Sequence, residues 1–187
     1  VNRSGVKDVA RWYTGSGIYR HAWLQVTNPV HVATYGTYVT TPSVSEDKAE
    51  IRIMTTLENE LKKVQTVSIS HLILDNQGKI VAKSGTEKTL FEAGQSIKIT
   101  QNLTLNYPRL WTLEKPELYT LETTVKANGK VTDLYKTPFG IRTIAFDSEK
   151  GFLLNGKQVK LKGMCLHQDA GSLGTAVLDR SYERRLE

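Results

Sequence analysis

The side chains that most restrict this chain alternate. Ile51, Ile53, Thr55 and Leu57 fall on one side of an extended backbone, and Glu50, Arg52, Met54 and Thr56 fall on the other. That is the pattern of a strand with one face in a core and one in water. Val67, Ile69 and Ile73 repeat it, as do Ile97, Ile99, Leu103 and Leu105, and then Leu121, Thr123 and Val125. An amphipathic helix would need apolar residues three and four apart, and that spacing is nearly absent before Asp147. The chain is therefore expected to be mainly β.

The punctuation between these runs sets how they connect. Asn76-Gln77-Gly78 turns the chain into Lys79–Ala82 as a hairpin, and Asn128-Gly129 suits the two positive φ angles of a type I′ turn, with Val131–Tyr135 as the return strand. From about Val32 to Asp147 this gives seven or more short strands within roughly 115 residues, the size and rhythm of an immunoglobulin-like β-sandwich. The Cys-Trp-Cys signature of antibody domains is missing, which points to the wider class of sandwiches. Beyond Asp147 the texture changes. Gly151–Leu154 reaches a second hairpin signal at Asn155-Gly156, and Val159–Met164 reads as a strand. A loop of small residues follows, then Asp179 as N-cap of a helix over Arg180–Leu186. Strand, loop and helix in that order suit the first unit of a β/α barrel. The first 30 or so residues, with Trp12, Tyr13, Trp23 and Pro29, read as the end of a preceding element.

Composition excludes several function classes. The 25 basic and 19 acidic side chains interleave along the sequence, so the charge of +6 reads as solvated surface and not as a nucleic-acid footprint, which gathers basic residues on one face. No apolar run approaches the roughly 20 residues of a membrane-spanning helix. A single cysteine, Cys165, rules out an intramolecular disulfide and a cysteine-based metal cluster. In its apolar run it reads as a buried small hydrophobe. His71 interrupts an apolar face and reads as a core histidine, while His21 and His31 lie too far apart in sequence to suggest a metal pair. No metal ligands are assigned. The chain opens at Val1 with neither an initiator methionine nor a signal-like stretch, so a piece of a longer protein is expected, with any targeting segment upstream.

Three stretches carry more than pattern: Arg11-Trp12-Tyr13-Thr14-Gly15-Ser16-Gly17-Ile18-Tyr19-Arg20; Pro108-Arg109-Leu110-Trp111 with Pro116-Glu117-Leu118-Tyr119-Thr120-Leu121; and Phe139-Gly140-Ile141-Arg142-Thr143, followed by Phe152–Lys157 and Lys162-Gly163-Met164-Cys165-Leu166-His167-Gln168-Asp169. In order and spacing they resemble glycoside hydrolase family 2, the β-galactosidases and β-glucuronidases, over nearly the whole chain. The resemblance implies three pieces: the end of a sugar-binding-like jelly roll in residues 1–27, an immunoglobulin-like sandwich in 28–146, and the truncated start of a TIM barrel in 147–187.

Retaining glycosidases set two carboxyl groups about 5 Å apart across the anomeric carbon. In this family, the resemblance implies, both are glutamates at the ends of later barrel strands. A barrel takes about 250 residues, so the chain is expected to lack both and to be non-catalytic by itself. The pair Asn59-Glu60 imitates the family's acid/base dipeptide, but its place in a charged turn between sandwich strands marks it as surface. The resemblance gives His167 a substrate-binding role after the first barrel strand, and Asp169 could fix its tautomer or bind a hydroxyl itself. It further implies a β-linked glycoside, galactoside by preference, as the parent's substrate. It needs no cofactor in this segment, and it leaves room for a divalent cation and a homo-oligomer in the full-length enzyme. Periplasmic or exported placement is favoured over cytoplasmic. The competing reading is a free-standing sandwich that binds carbohydrate or protein through its loops. Residues 148–187 argue against it, since a self-contained module has no use for a barrel opening.

Overall fold

The computed structural model describes residues 18–187 except Asp169. Eight antiparallel strands build a two-sheet sandwich. One sheet has the order β1 (Val30–Val44), β2 (Lys48–Asn59), β6 (Ser96–Asn106). In the other, β3 (Gln65–Leu74) pairs with β7 (Tyr119–Ala127) on one side, and β7 with β8 (Lys130–Phe139). The opposite edge of β3 is shared: β4 (Ile80–Lys83) takes its C-terminal half and β5 (Glu87–Phe91) its N-terminal half. A small third sheet follows, made of β9 (Ile144–Asp147), β10 (Gly151–Leu154) and β11 (Lys157–Gln158). The mainly β, immunoglobulin-like reading of the sequence holds.

The alternation emerges as burial. In β2 every second residue from Ala49 to Asn59 is buried, and β3 and β7 repeat the pattern. The turns take the expected form. Asn128 and Gly129 have φ of 49° and 82°, and Asn155 and Gly156 of 50° and 74°, the pair of left-handed residues that matches strand twist. At the β3–β4 turn the Asp75 carboxylate accepts the N–H groups of Gln77 and Lys79. The Lys79 bond contributes most to holding this carboxyl below its ordinary pKa, with the Gln77 bond and the nearby Arg109 adding to it. In β1 the register breaks between Val32 and Thr37. Gly36 sits in that break because a Cβ there would meet Ala33 O at 2.7 Å and Thr56 O at 2.9 Å.

Burial of branched and aromatic side chains between the sheets supplies the main stabilisation. The core forms two clusters, one around Val32, Leu57, Ile69, Phe91 and Val125, the other around Ile51, Ile53, Ile73, Leu121 and Ile141. His71 is the core histidine expected. It is 1% exposed, its Nδ1 lies 3.0 Å from Thr123 Oγ1, and burial lowers its pKa to about 4. The first and last strands of the sandwich are tied together, with Asp133 Oδ2 accepting Val32 N–H at 2.8 Å and Asn28 Nδ2 donating to Thr132 O at 2.7 Å.

Three local expectations are corrected. Val159–Met164 forms no strand; a parallel barrel strand is held by neighbours on both edges, and the described residues supply none for it. Cys165 is consequently exposed, not buried. The helix α1 spans Asp179–Leu186 with Leu178 as its N-cap and no side-chain cap; Asp179 is its first residue, and its carboxylate is engaged elsewhere.

Candidate functional site

By compactness the described residues fall into two units, Val26–Leu161 and a second formed by residues 18–25 with Lys162–Glu187. His167 belongs to the second. It stands exposed in an irregular stretch ahead of a short 3-10 turn, Gly171–Leu173. Its backbone carbonyl accepts a hydrogen bond from Arg185 Nη1 at 3.1 Å, so α1 anchors the main chain at this point. Asp169 lies outside the described residues.

Around this loop the segment 18–25 supplies side chains. Tyr19 Oη donates to Gln168 Oε1 at 3.2 Å, beside His167 in sequence. Arg20 Nη1 donates to Val177 O at 3.2 Å, and its guanidinium lies 3.6 Å from Asp179 and 6.0 Å from the centre of the Tyr182 ring. His21 Nε2 meets Asp179 Oδ2 at 2.9 Å, and its ring contacts Trp23 edge-on. Asp179 thus takes two basic partners at the positive end of α1, where a carboxylate is also favoured by the helix dipole. Arg180, the next residue of α1, donates along the helix to Glu187 and Glu183, bonds that raise its pKa further. An exposed imidazole can both donate to and accept from sugar hydroxyls. Arg185 thus holds the backbone at His167, and Tyr19 holds the Gln168 side chain beside it.

The sequence reading missed the His21–Asp179 contact. The partners lie 158 residues apart, and neither carries a local motif. In the sandwich unit, Trp111 is half-buried, as an aromatic at a packed junction should be. Its N–H donates to Ile141 O, its carbonyl accepts Asn155 Nδ2, and Arg142 stacks 5.3 Å from its ring centre. An open cleft of about 530 Å³ in that unit lies beside Arg142 and is lined by Tyr38, Thr40, Leu118, Phe139 and Ile144.

Asn59 and Glu60 do sit at the β2–β3 turn, but only Glu60 is exposed. Asn59 is 1% exposed; its Nδ2 donates to the carbonyls of Lys63, Phe91 and Glu92, and its Oδ1 accepts Leu61 N–H. Among the described residues one group could hold a metal: His31, Glu58 and Glu60 bring one ligand atom each within 4.8 Å of one another, with His31 Nε2 at 3.4 Å from Glu58 Oε2. Nitrogen and carboxylate donors of this kind suit zinc.

The sequence model of the glycosyl hydrolases family 2 matches residues 30–142, the sandwich almost from end to end. The chain belongs to that family. A β-galactosidase of Bacteroides ovatus is 46% identical over 178 residues, 95% of this chain but 21% of that protein. A β-glucuronidase of Formosa agariphila is 34% identical over 161 residues, covering 81% of this chain and 16% of its own length. Among solved structures, a family 2 member from Bacteroides cellulosilyticus superposes with a TM-score of 0.85 at 41% identity, over 94% of this chain and 24% of the other. The Bacteroides uniformis β-glucuronidase gives 0.83 at 29%, over 95% and 22%. The family 2 chain thus spans about a fifth of the length of these relatives.

Proposed function

We propose that this chain is a structural segment of a retaining glycoside hydrolase of the β-galactosidase type, carrying no catalytic carboxylates of its own. On this reading residues 1–27 end a jelly roll, 28–146 form the immunoglobulin-like sandwich and 147–187 open the catalytic barrel. The observation that carries it is the match to the Bacteroides ovatus β-galactosidase, 46% identical across 95% of this chain. The galactoside preference follows that relative's name, and β-glucuronides are the competing substrates because other relatives are named β-glucuronidases. The sandwich would hold its neighbours in place, and His167 with Asp169 would bind substrate hydroxyls at the mouth of the barrel.

The test sets the full-length parent beside residues 1–187 on nitrophenyl β-galactoside and β-glucuronide. Turnover is expected only from the parent, faster on the galactoside, with the anomeric configuration retained. Hydrolysis by residues 1–187 would overturn the non-catalytic reading, and a faster glucuronide would overturn the substrate. In the parent, His167→Ala is expected to raise KM at least tenfold, the worth of about 1.4 kcal/mol. An unchanged KM would remove His167 from the site.

A further inference from the structure

Each of six sandwich strands carries an inward-facing polar residue where the two apolar clusters meet. In β2, Thr55 lies between Ile53 of one cluster and Leu57 of the other; in β3, His71 between Ile69 and Ile73; in β7, Thr123 between Leu121 and Val125. Gln101 of β6 lies between Ile99 and Leu103. Thr137 of β8 lies between Tyr135 and Phe139, and Thr37 of β1 between Val32 and Val39. Thr37 pairs directly with Thr55, and His71 with Thr123, while Gln101 pairs with Ile53 and Thr137 with Leu121, each one inward position along the strand. Six strands placing a polar side chain between the two apolar clusters make a staggered polar belt across the sandwich.

Within the belt, His71 and Thr123 bond each other. The buried atoms Thr37 Oγ1, Thr55 Oγ1, His71 Nε2, Gln101 Oε1 and Thr137 Oγ1 have no hydrogen-bond partner among the described residues. A buried polar atom left unpaired loses its hydration with no return, and five such losses would rival the net stability of a whole domain. Hydroxyl, imidazole and amide groups gathered between the two clusters are what an ordered water needs, since it takes two to four polar partners. Between β4 and β5 the edge of β3 is bridged only by Ser84, whose Oγ accepts His71 N–H and whose N–H donates to His71 O. Beside this break Gln101 Nε2 reaches Gly85 O at 3.5 Å and the exposed Glu87 at 3.3 Å.

We infer that the belt is a binding site for water: a short row of ordered waters inside the sandwich, exchanging through the break between β4 and β5 and completing the hydrogen bonding of Thr37, Thr55, His71, Gln101 and Thr137. At about three bonds per water, about two waters meet the five atoms. The chemistry favours water over an ion, because the belt presents neutral hydroxyl, amide and imidazole groups.

A crystal structure of residues 1–187 fine enough to place waters tests this directly. Density within hydrogen-bond distance of Thr55 Oγ1 and His71 Nε2 is the expected result. Direct pairing of these side chains with one another, or apolar contact alone, would overturn it. In solution, water-oxygen relaxation dispersion should count about two long-lived waters in the unmodified protein, and their complete absence would likewise overturn the assignment. Thr55→Val keeps the shape while removing one partner, so its relaxation amplitude should fall by about half. The unmodified protein alone decides the question should that variant fail to fold.

Discussion

Acid should weaken this sandwich in a window set by one imidazole. His71 is buried to 1% exposure and bonded through Nδ1 to Thr123, and burial lowers its pKa from 6.5 to about 4. The unfolded chain therefore binds a proton at a pH where the folded chain does not, and stability rises with pH across the interval between the two values. Its contribution is complete above about 6.5, declines as the pH falls towards 4, and is flat below that. At about 1.4 kcal/mol for each pH unit, the gap amounts to about 3 kcal/mol, a large share of the ~5–15 kcal/mol that holds a domain folded. Urea unfolding of residues 1–187 at half-unit steps from pH 8 to 3.5 would trace it, with His71→Gln as the variant that cannot titrate. The variant is expected to be less stable at pH 8 but flatter between 6.5 and 4. The carboxylates whose pKa values are lowered, Asp75, Glu114 and Asp147, have ordinary values of 3.8 to 4.5, so their losses begin where the histidine's end. If both proteins lose stability in parallel through the window, His71 is not the titrating group and the reasoning fails.

Two further substitutions probe packing. Asn59→Ala removes a buried amide that serves three carbonyls and one N–H, and should cost about 3 kcal/mol in the same urea assay; a cost under ~0.5 kcal/mol would mean that water replaces it freely. Gly140→Ala would place a Cβ 3.0 to 3.2 Å from three Trp111 side-chain atoms. A loss of about 2 kcal/mol is expected, with an altered Trp111 fluorescence as its ring shifts away from Arg142; unaltered stability and emission would show that the junction yields without strain.

Much of the sandwich could be read from the chain because its information is local. Alternation from Glu50 to Leu57 is a property of neighbours, and Asn128-Gly129 carries its turn within two residues. What escaped reading depends on partners far away. Asn59 looks like one more surface residue of a charged turn until the carbonyls of Phe91 and Glu92 arrive from β5. His71 interrupts an apolar row in the sequence, and only the register of β3 and β7 sets Thr123 beside it. The alternation in Val159–Met164 was real, yet a parallel strand exists only beside other strands, so the pattern had nothing to act on. For the candidate site the sequence supplied His167 through family likeness alone. The hold of Arg185 on its carbonyl and of Tyr19 on Gln168 required residues from both ends of the chain.

The bonds that join β1 to β8 also govern the order of events at the ribosome. Val32 is made 101 residues before Asp133, and waits that long before its N–H finds the carboxylate that receives it. Through that interval the growing chain displays one flank of an apolar interior, which exposes it to wrong pairings. At about 5 to 20 residues per second the wait is roughly 5 to 20 seconds, so translation speed over this stretch sets how long a nascent sandwich stays open to capture by chaperones.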